Sequence, residues 1–255
     1  MKILSFADLH ITDIYHSSLD MVKKCVNEYN PDVVTISGDI FDEKNLNPYK
    51  CLAKKIGDIP VICCLGNHEF AYRSVEETLN FYREKYNPEK YNVHYLDIVG
   101  HFCLENFNFV GNVLWYDGSL KNVWNQSDEI IDGWLDSTIE NFNWKIENRK
   151  CVEQINLKEN NPEEFNGYNI EKTILVTHCV PHIDLNLFSF EGMSEYNMYS
   201  GMKNLFEQLE KKIDIAFCGH THRRTCKTID GVDCVNIGND YYFRKNGFEC
   251  FFMEV

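Results

Sequence analysis

Apolar residues in the first third of the chain alternate between two textures. Short continuous runs, "KILSFA", "DVVTIS" and "IPVICCL", are each followed by a polar loop. Each loop leads into a segment whose apolar positions recur every three or four residues: "SLDMVKKCVNEY", "NPYKCLAKKIG" and "SVEETLNFYREKY". The continuous runs predict strands covered on both faces, and the periodic segments predict amphipathic helices. From "YNVHYLD" to "NVLWYD" short strands separated by Gly and Asn turns take over, and "TILVTH", "DIAFCGH", "RTCKTID", "VDCVNIG" and "FECFFMEV" repeat that texture near the end. The pattern predicts a strand-rich α/β domain with two packed sheets.

Residues 117–171 interrupt it. Ile131, Trp134, Leu135, Ile139, Phe142 and Ile146 fall at three- and four-residue steps, which predicts a long amphipathic helix from about Asp128. This acidic segment is read as an insertion in a single domain spanning 1–255, a surface helix packed by its apolar stripe rather than a lid or dimer face.

Composition adds exclusions. With 255 residues, 44% hydrophobic and 25% charged, the chain can bury a sizeable core. The expected location is the cytoplasm: the N-terminus reaches polar residues too soon for a signal peptide, and no run has membrane-spanning length. Eleven scattered cysteines without a Cys-x-x-Cys pair read as free thiols in a reducing compartment. A net charge of −14 argues against an extended nucleic-acid surface, though not against a phosphate held by cations.

The candidate chemistry sits where strands stop. "KILSFA" runs into Asp8 and His10; "DVVTIS" into Gly38-Asp39 and then Asp42; "IPVICCL" into Gly66-Asn67-His68-Glu69; "TILVT" into His178; and "DIAFC" into Gly219-His220-Thr221-His222. Ligands in open α/β sheets bind at the carboxyl ends of strands, so these residues should converge on one rim. Five of nine histidines lie there with Asp8, Asp39 and Asn67, and so many polar groups at a core edge need partners.

These blocks, "DLH", "GDIFD", "GNHE", "VTH" and "GHTH", in this order, resemble the signature of the calcineurin-like metallophosphoesterases, and "FNFVGNVLWYDGSL" and "VTHCVPH" look more like the small stand-alone bacterial and phage type. The resemblance implies an αββα four-layer fold, a two-sheet sandwich flanked by helices, and a phosphoesterase in which a metal-activated hydroxide attacks phosphorus. It implies two divalent ions, Mn²⁺ first, with Fe, Zn or Ni as alternatives for a nitrogen and oxygen ligand set. Asp8, His10 and His222 would hold one ion, Asn67, His178 and His220 the other, and Asp39 would bridge them. His68 would be the general acid rather than a ligand. Glu69 is a candidate to orient His68 or to cap a helix start, Asp42 a loop or supporting hydrogen-bond residue, and Arg223 a solvent-facing one.

The substrate is a phosphoester, with a nucleotide among the candidates, and nothing in the sequence specifies the oligomeric state. "ISGDIFDEKN" is similar to the SbcD-type DNA nucleases, but the chain is acidic and leaves little room for their DNA-capping domain. A protein Ser/Thr phosphatase ranks next, since only Arg73 lies near "GNHE", and a metal-free scaffold of the same fold ranks last because no ligand position is degraded. Tyr196 and Tyr199, in the 184–202 connection, read equally as base-stacking or core residues.

Overall fold

The computed structural model describes residues 1–12, 17–42, 46–121, 127–157, 169–185, 194–239 and 250–255. Its first sheet is built from the expected strand and helix alternation: β1 (Lys2–Phe6), α1 (Ser17–Tyr29), β2 (Val33–Ser37), α2 (Pro48–Ile56), β3 (Val61–Cys64), α3 (Asn67–Phe70), α4 (Val75–Lys85), β4 (Val93–Tyr95) and α5 (Leu96–Val99). Strands β1, β2, β3 and β4 run parallel in that order. The second sheet contains β5 (His101–Leu104), β6 (Phe107–Asn112), β7 (Lys172–Thr177), β8 (Ile215–Cys218), β9 (Thr225–Ile229) and β10 (Val232–Asn236), in the order β5-β6-β7-β8-β10-β9, with α6 (Trp144–Leu157) between β6 and β7. The last strand, β11 (Phe251–Glu254), returns to pair antiparallel with β1.

The two sheets pack face to face. Ile3, Val33 and Ile62 from one and Phe109, Ile174, Val176 and Phe217 from the other form the layer between them. Leu4, Phe6, Val34 and Ile36 point the opposite way, under α1 and α2, whose Leu19, Val22 and Leu52 complete a second core. Leu175, Ala216 and Cys234 face a third, which includes Ile155 of α6. Both faces of the first sheet's parallel strands and of β6, β7 and β8 are therefore covered, which is why every position of β2 and β3 is buried. Each fully buried Phe or Ile in these layers contributes about 1.5–3 kcal/mol. One polar pair interrupts the inter-sheet layer: Thr35 Oγ1 donates to Ser5 Oγ at 2.7 Å, so neither hydroxyl is left unpaired.

The helix expected from Asp128 is not where the periodicity placed it. Residues 128–143 form an irregular segment with one 3₁₀ turn, Leu135–Thr138, and the α-helix begins only at Trp144. Gly133 (φ 88°) and Asn141 (φ 54°) adopt left-handed backbone that an α-helix cannot contain, and Asn143 Oδ1 accepts from Ile146 N, as a helix-starting residue does. Ile131, Trp134, Ile139 and Phe142 still pack on the first core, while Ile146 is 49% exposed. The apolar spacing reflected residues docking one by one rather than a helical stripe. No helix of the described residues is long and apolar enough to cross a membrane. Residues 158–168 of the 117–171 segment and residues 186–193 of the 184–202 connection lie outside the described residues.

Candidate metal centre

Strands β1, β2 and β3 of one sheet and β7 and β8 of the other end at a common rim, where their loops are stitched together. Asp8 N donates to Gly38 O, His10 N to Asp39 O and Gly219 N to His178 O at 3.0–3.2 Å. Across the sandwich, His220 N donates to Asp8 Oδ1 at 2.9 Å and His178 Nδ1 to Ser37 O at 3.0 Å. All seven residues read as metal ligands, and His68 with them, are brought to this rim.

The backbone there is held in an unfavourable conformation. Asp8, His10, Asp39, His220 and His222 all have φ between 43° and 68°, a region L-residues enter at a cost and that clusters at functional sites. Two glycines permit the close approach. A Cβ on Gly66 would collide with Asp39 Oδ1, and one on Gly38 (φ 74°) with the His178 ring.

The side chains form three overlapping groups whose ligand-type atoms lie within 4.8 Å of one another: Asp8, His10 and His222; His10, Asp39 and His68; Asp39, His178 and His220. Around His178 Nε2 stand Asn67 Oδ1 at 3.1 Å, His220 Nδ1 at 3.1 Å and Asp39 Oδ1 at 3.4 Å. Asp39 Oδ2 faces the other side, 3.8 Å from His10 Nε2 and 3.7 Å from His68 Nε2. Asp39 is thus the carboxylate common to two groups, while distance alone does not separate His68 from the other imidazoles.

The outer ring nitrogens are tied off. His178 Nδ1 donates to Ser37 O, His220 Nε2 to Tyr199 O at 2.9 Å, and His222 Nδ1 to Asn239 O. Such carbonyl contacts fix the tautomer, so the lone pair of each ring points inward, the arrangement that metal-binding imidazoles require. Among the described residues, Asp8 Oδ2 is buried without a hydrogen-bond partner. Converging lone pairs and an unpaired carboxylate oxygen fit divalent cations.

With no cation bound, a proton competes for the inward-facing nitrogen of His178, and a metal would displace it. Burial would raise the Asp39 pKa, but His178, His68 and His10 around it hold the carboxyl well below the usual range. Burial lowers His178 while Asp39 and Asp8 outweigh it, lifting the imidazole to about 9; burial and the neighbouring His178 push His220 down to about 3.

Three supporting residues take definite places. Asp42 Oδ1 accepts from both His10 Nδ1 (3.1 Å) and His68 Nδ1 (2.9 Å). Glu69 does not orient His68: its carboxylate accepts from Ile40 N and Phe41 N at 2.8 Å and from Gly66 N at 2.7 Å, tying the Asp39 loop to the Asn67 turn. Tyr199 is buried, its hydroxyl accepting from Ile131 N at 2.9 Å, so it packs and positions rather than offering a face to a ligand. Arg73 lies over the Phe81 ring at 5.0 Å. The residue that sequence reasoning missed is Asp136, buried in the irregular segment, which accepts from Asn67 Nδ2 at 2.8 Å. Carbonyls such as Ser37 O and Tyr199 O carry no sequence signature, and Asp136 stands in no motif.

Comparison with known proteins agrees with this geometry. A metallophosphoesterase of Campylobacter jejuni, itself uncharacterized, is 29% identical over 110 residues, 39% of this chain. The match spans only 29% of that curated relative's length. The crystal structure of the phosphopantetheinyl hydrolase of Mycobacterium tuberculosis superposes with a TM-score of 0.69 at 13% identity, over 100% of this chain and 95% of that one, a likeness of fold. The profile of the calcineurin-like phosphoesterases matches residues 1–224, a span that contains all five strand-end blocks, and the chain belongs to that family.

Proposed function

We propose that this protein hydrolyses phosphomonoesters or phosphodiesters at a centre of two divalent cations. The observation that carries the reading is the convergence at one rim of inward-facing imidazole lone pairs, the Asp39 carboxylate and the unpaired Asp8 Oδ2. Asp8, His10 and His222 would hold one cation, Asn67, His178 and His220 the other, and Asp39 would be shared. This nitrogen and oxygen set suits Mn²⁺, with Fe, Zn and Ni as alternatives. Two such ions supply Lewis acidity toward the phosphoryl group and make water nucleophilic near neutral pH.

The chain's own proton chemistry falls to His68. In the metal-free site burial disfavours its charge, yet Asp39 and Asp42 lift its pKa to about 10. Asp42 holds Nδ1 and leaves Nε2–H to donate to the leaving-group oxygen. Ser37, Tyr199 and Asn239 carbonyls keep the other rings turned toward the phosphate side.

We also read residues 1–255 as one domain with 117–171 inserted. A reducing, cytoplasmic location is part of the same reading, carried by eleven scattered cysteines without a Cys-x-x-Cys pair. The test of function is hydrolysis of p-nitrophenyl phosphate and its bis ester by purified protein with Mn²⁺. Hydrolysis of either supports the reading, and inactivity on both with each of the four metals overturns it. A panel of nucleotides, cyclic nucleotides, single-stranded DNA, a phosphopeptide and a phosphopantetheine diester then selects the substrate class.

A further inference from the structure

The segment from Ile130 to Asp136 carries no family motif, yet it reaches the rim at two points. Asn67 Nδ2 donates to Asp136 Oδ1 at 2.8 Å, from a residue 69 positions away in the chain. Trp134 Nε1 donates to the other oxygen, Asp136 Oδ2, at 3.0 Å, so both carboxylate oxygens are engaged and the side chain cannot rotate away. The same Trp134 stacks on Tyr199 with ring centroids 5.3 Å apart, and Ile131 N donates to the Tyr199 hydroxyl. Tyr199 O in turn accepts from His220 Nε2. One stretch of chain therefore braces Asn67 directly and His220 through Tyr199, and leaves Asp8, His10 and His222 to other supports.

Why Asn67 needs a brace follows from its chemistry. A carboxylate presents oxygen whichever way it turns, and an imidazole bonded to a carbonyl has its tautomer set. A carboxamide has two unlike ends, and a half-turn about its last torsion would aim the NH₂ group at a cation. A carboxylate accepts and never donates while ionised, so Asp136 can be satisfied only by the Nδ2 end and would repel Oδ1. The contact thus tells the two ends apart and turns Oδ1 toward His178 Nε2, 3.1 Å away. It lies within a buried site, where an acceptor facing an acceptor is most costly.

We infer that Asp136 is a positioning residue that builds one of the two cation sites, the one formed by Asn67, His178 and His220, by locking the Asn67 amide with its oxygen facing the metal. This rests on the two-cation reading above. The acidic insertion is then part of the metal centre rather than a surface addition.

The test is calorimetric titration of metal-free protein with Mn²⁺, without substrate. Wild-type protein takes up two equivalents. Asp136→Ala keeps one at wild-type affinity and binds the other about 10- to 100-fold more weakly, the usual loss when such a supporting contact is removed. Trp134→Phe, which removes the donor to Asp136 Oδ2 and shrinks the ring stacked on Tyr199 but keeps the Asp136 carboxylate, weakens the same site less than Asp136→Ala does. In an Asn67→Ala background, Asp136→Ala has no further effect on the weakened site, because its target amide is already gone. Should Asp136→Ala fail to fold, Asp136→Leu fills the buried space without an acceptor and is titrated instead. Wild-type affinity at both sites in either variant, or an equal loss in Trp134→Phe, overturns the inference while leaving the two-cation reading intact. Absence of Mn²⁺ uptake by the wild type overturns both.

Discussion

Asp42 stands between two imidazoles with opposite assignments, His10 as a ligand and His68 as an acid, and its single oxygen Oδ1 accepts from both. Burial opposes its charge, but the two histidines hold its pKa down at about 2, so it stays ionised and keeps both Nδ1–H groups in place. His68→Ala is expected to retain both cations and slow turnover by about 10²–10⁴ for esters with poor leaving groups, with little effect on p-nitrophenyl esters. Steady-state rates across a series of leaving-group pKa values check this, and an unchanged dependence would remove His68 from proton transfer. His94, far from the chemistry, illustrates a different use of burial. Its Nε2 donates to Asn92 Oδ1 at 3.0 Å, and its Nδ1 is hydrogen-bonded to the Tyr86 hydroxyl at 3.1 Å. Burial lowers its pKa from 6.5 to about 4. The unfolded chain therefore takes up the proton first: the His94 contribution is complete above pH 6.5 and is lost as pH falls toward 4. Allowing for solvent screening, it amounts to about 2 kcal/mol. Urea unfolding at pH 7 and pH 4.5 should show a smaller acid loss in His94→Gln than in the wild type.

At the scale of elements, the strand-end loops hold one another as much as they hold any ligand. Glu69 joins the loop after β2 to the turn before α3 through three backbone N–H groups. Glu69→Gln places an amide NH₂ against at least one of those donors, and should lower stability by about 1–3 kcal/mol, read as a reduced urea midpoint with unchanged slope. The "GNHE" block was visible in the sequence, but not that its Glu serves the Asp39 loop rather than His68. The reason is physical: a carboxylate three residues from a turn glycine can cap locally or reach outward, and only the neighbouring loop at 2.8 Å decides. The 128–143 segment teaches the converse. Its three- and four-residue spacing suited a helix, yet positive φ at Gly133 and Asn141 turns each apolar side chain inward separately.

For the whole molecule, the rim joins two sheets that share a core but few backbone bonds, so cations held by both should act as a clasp. Ligands that bind only the folded state stabilise it by mass action, about 2.7 kcal/mol per site at a hundredfold excess over Kd. Mn²⁺ should therefore raise the melting temperature of metal-free wild-type protein. Asp39→Asn, which weakens the shared carboxylate, should abolish most of that rise, and both are read by thermal denaturation with and without chelator. Much of this protein was determined by its sequence alone. Strand and helix alternation follows from where apolar residues fall, and the five blocks sit at strand ends because a parallel sheet delivers its loops to one edge. What only the tertiary structure decided are contacts whose partners are distant in the chain or are plain backbone. Asp136 found Asn67, Tyr199 O found His220, and Asp42 served two histidines, because hydrogen bonds in a buried site are assigned by what lies within about 3 Å, and local sequence does not encode that distance.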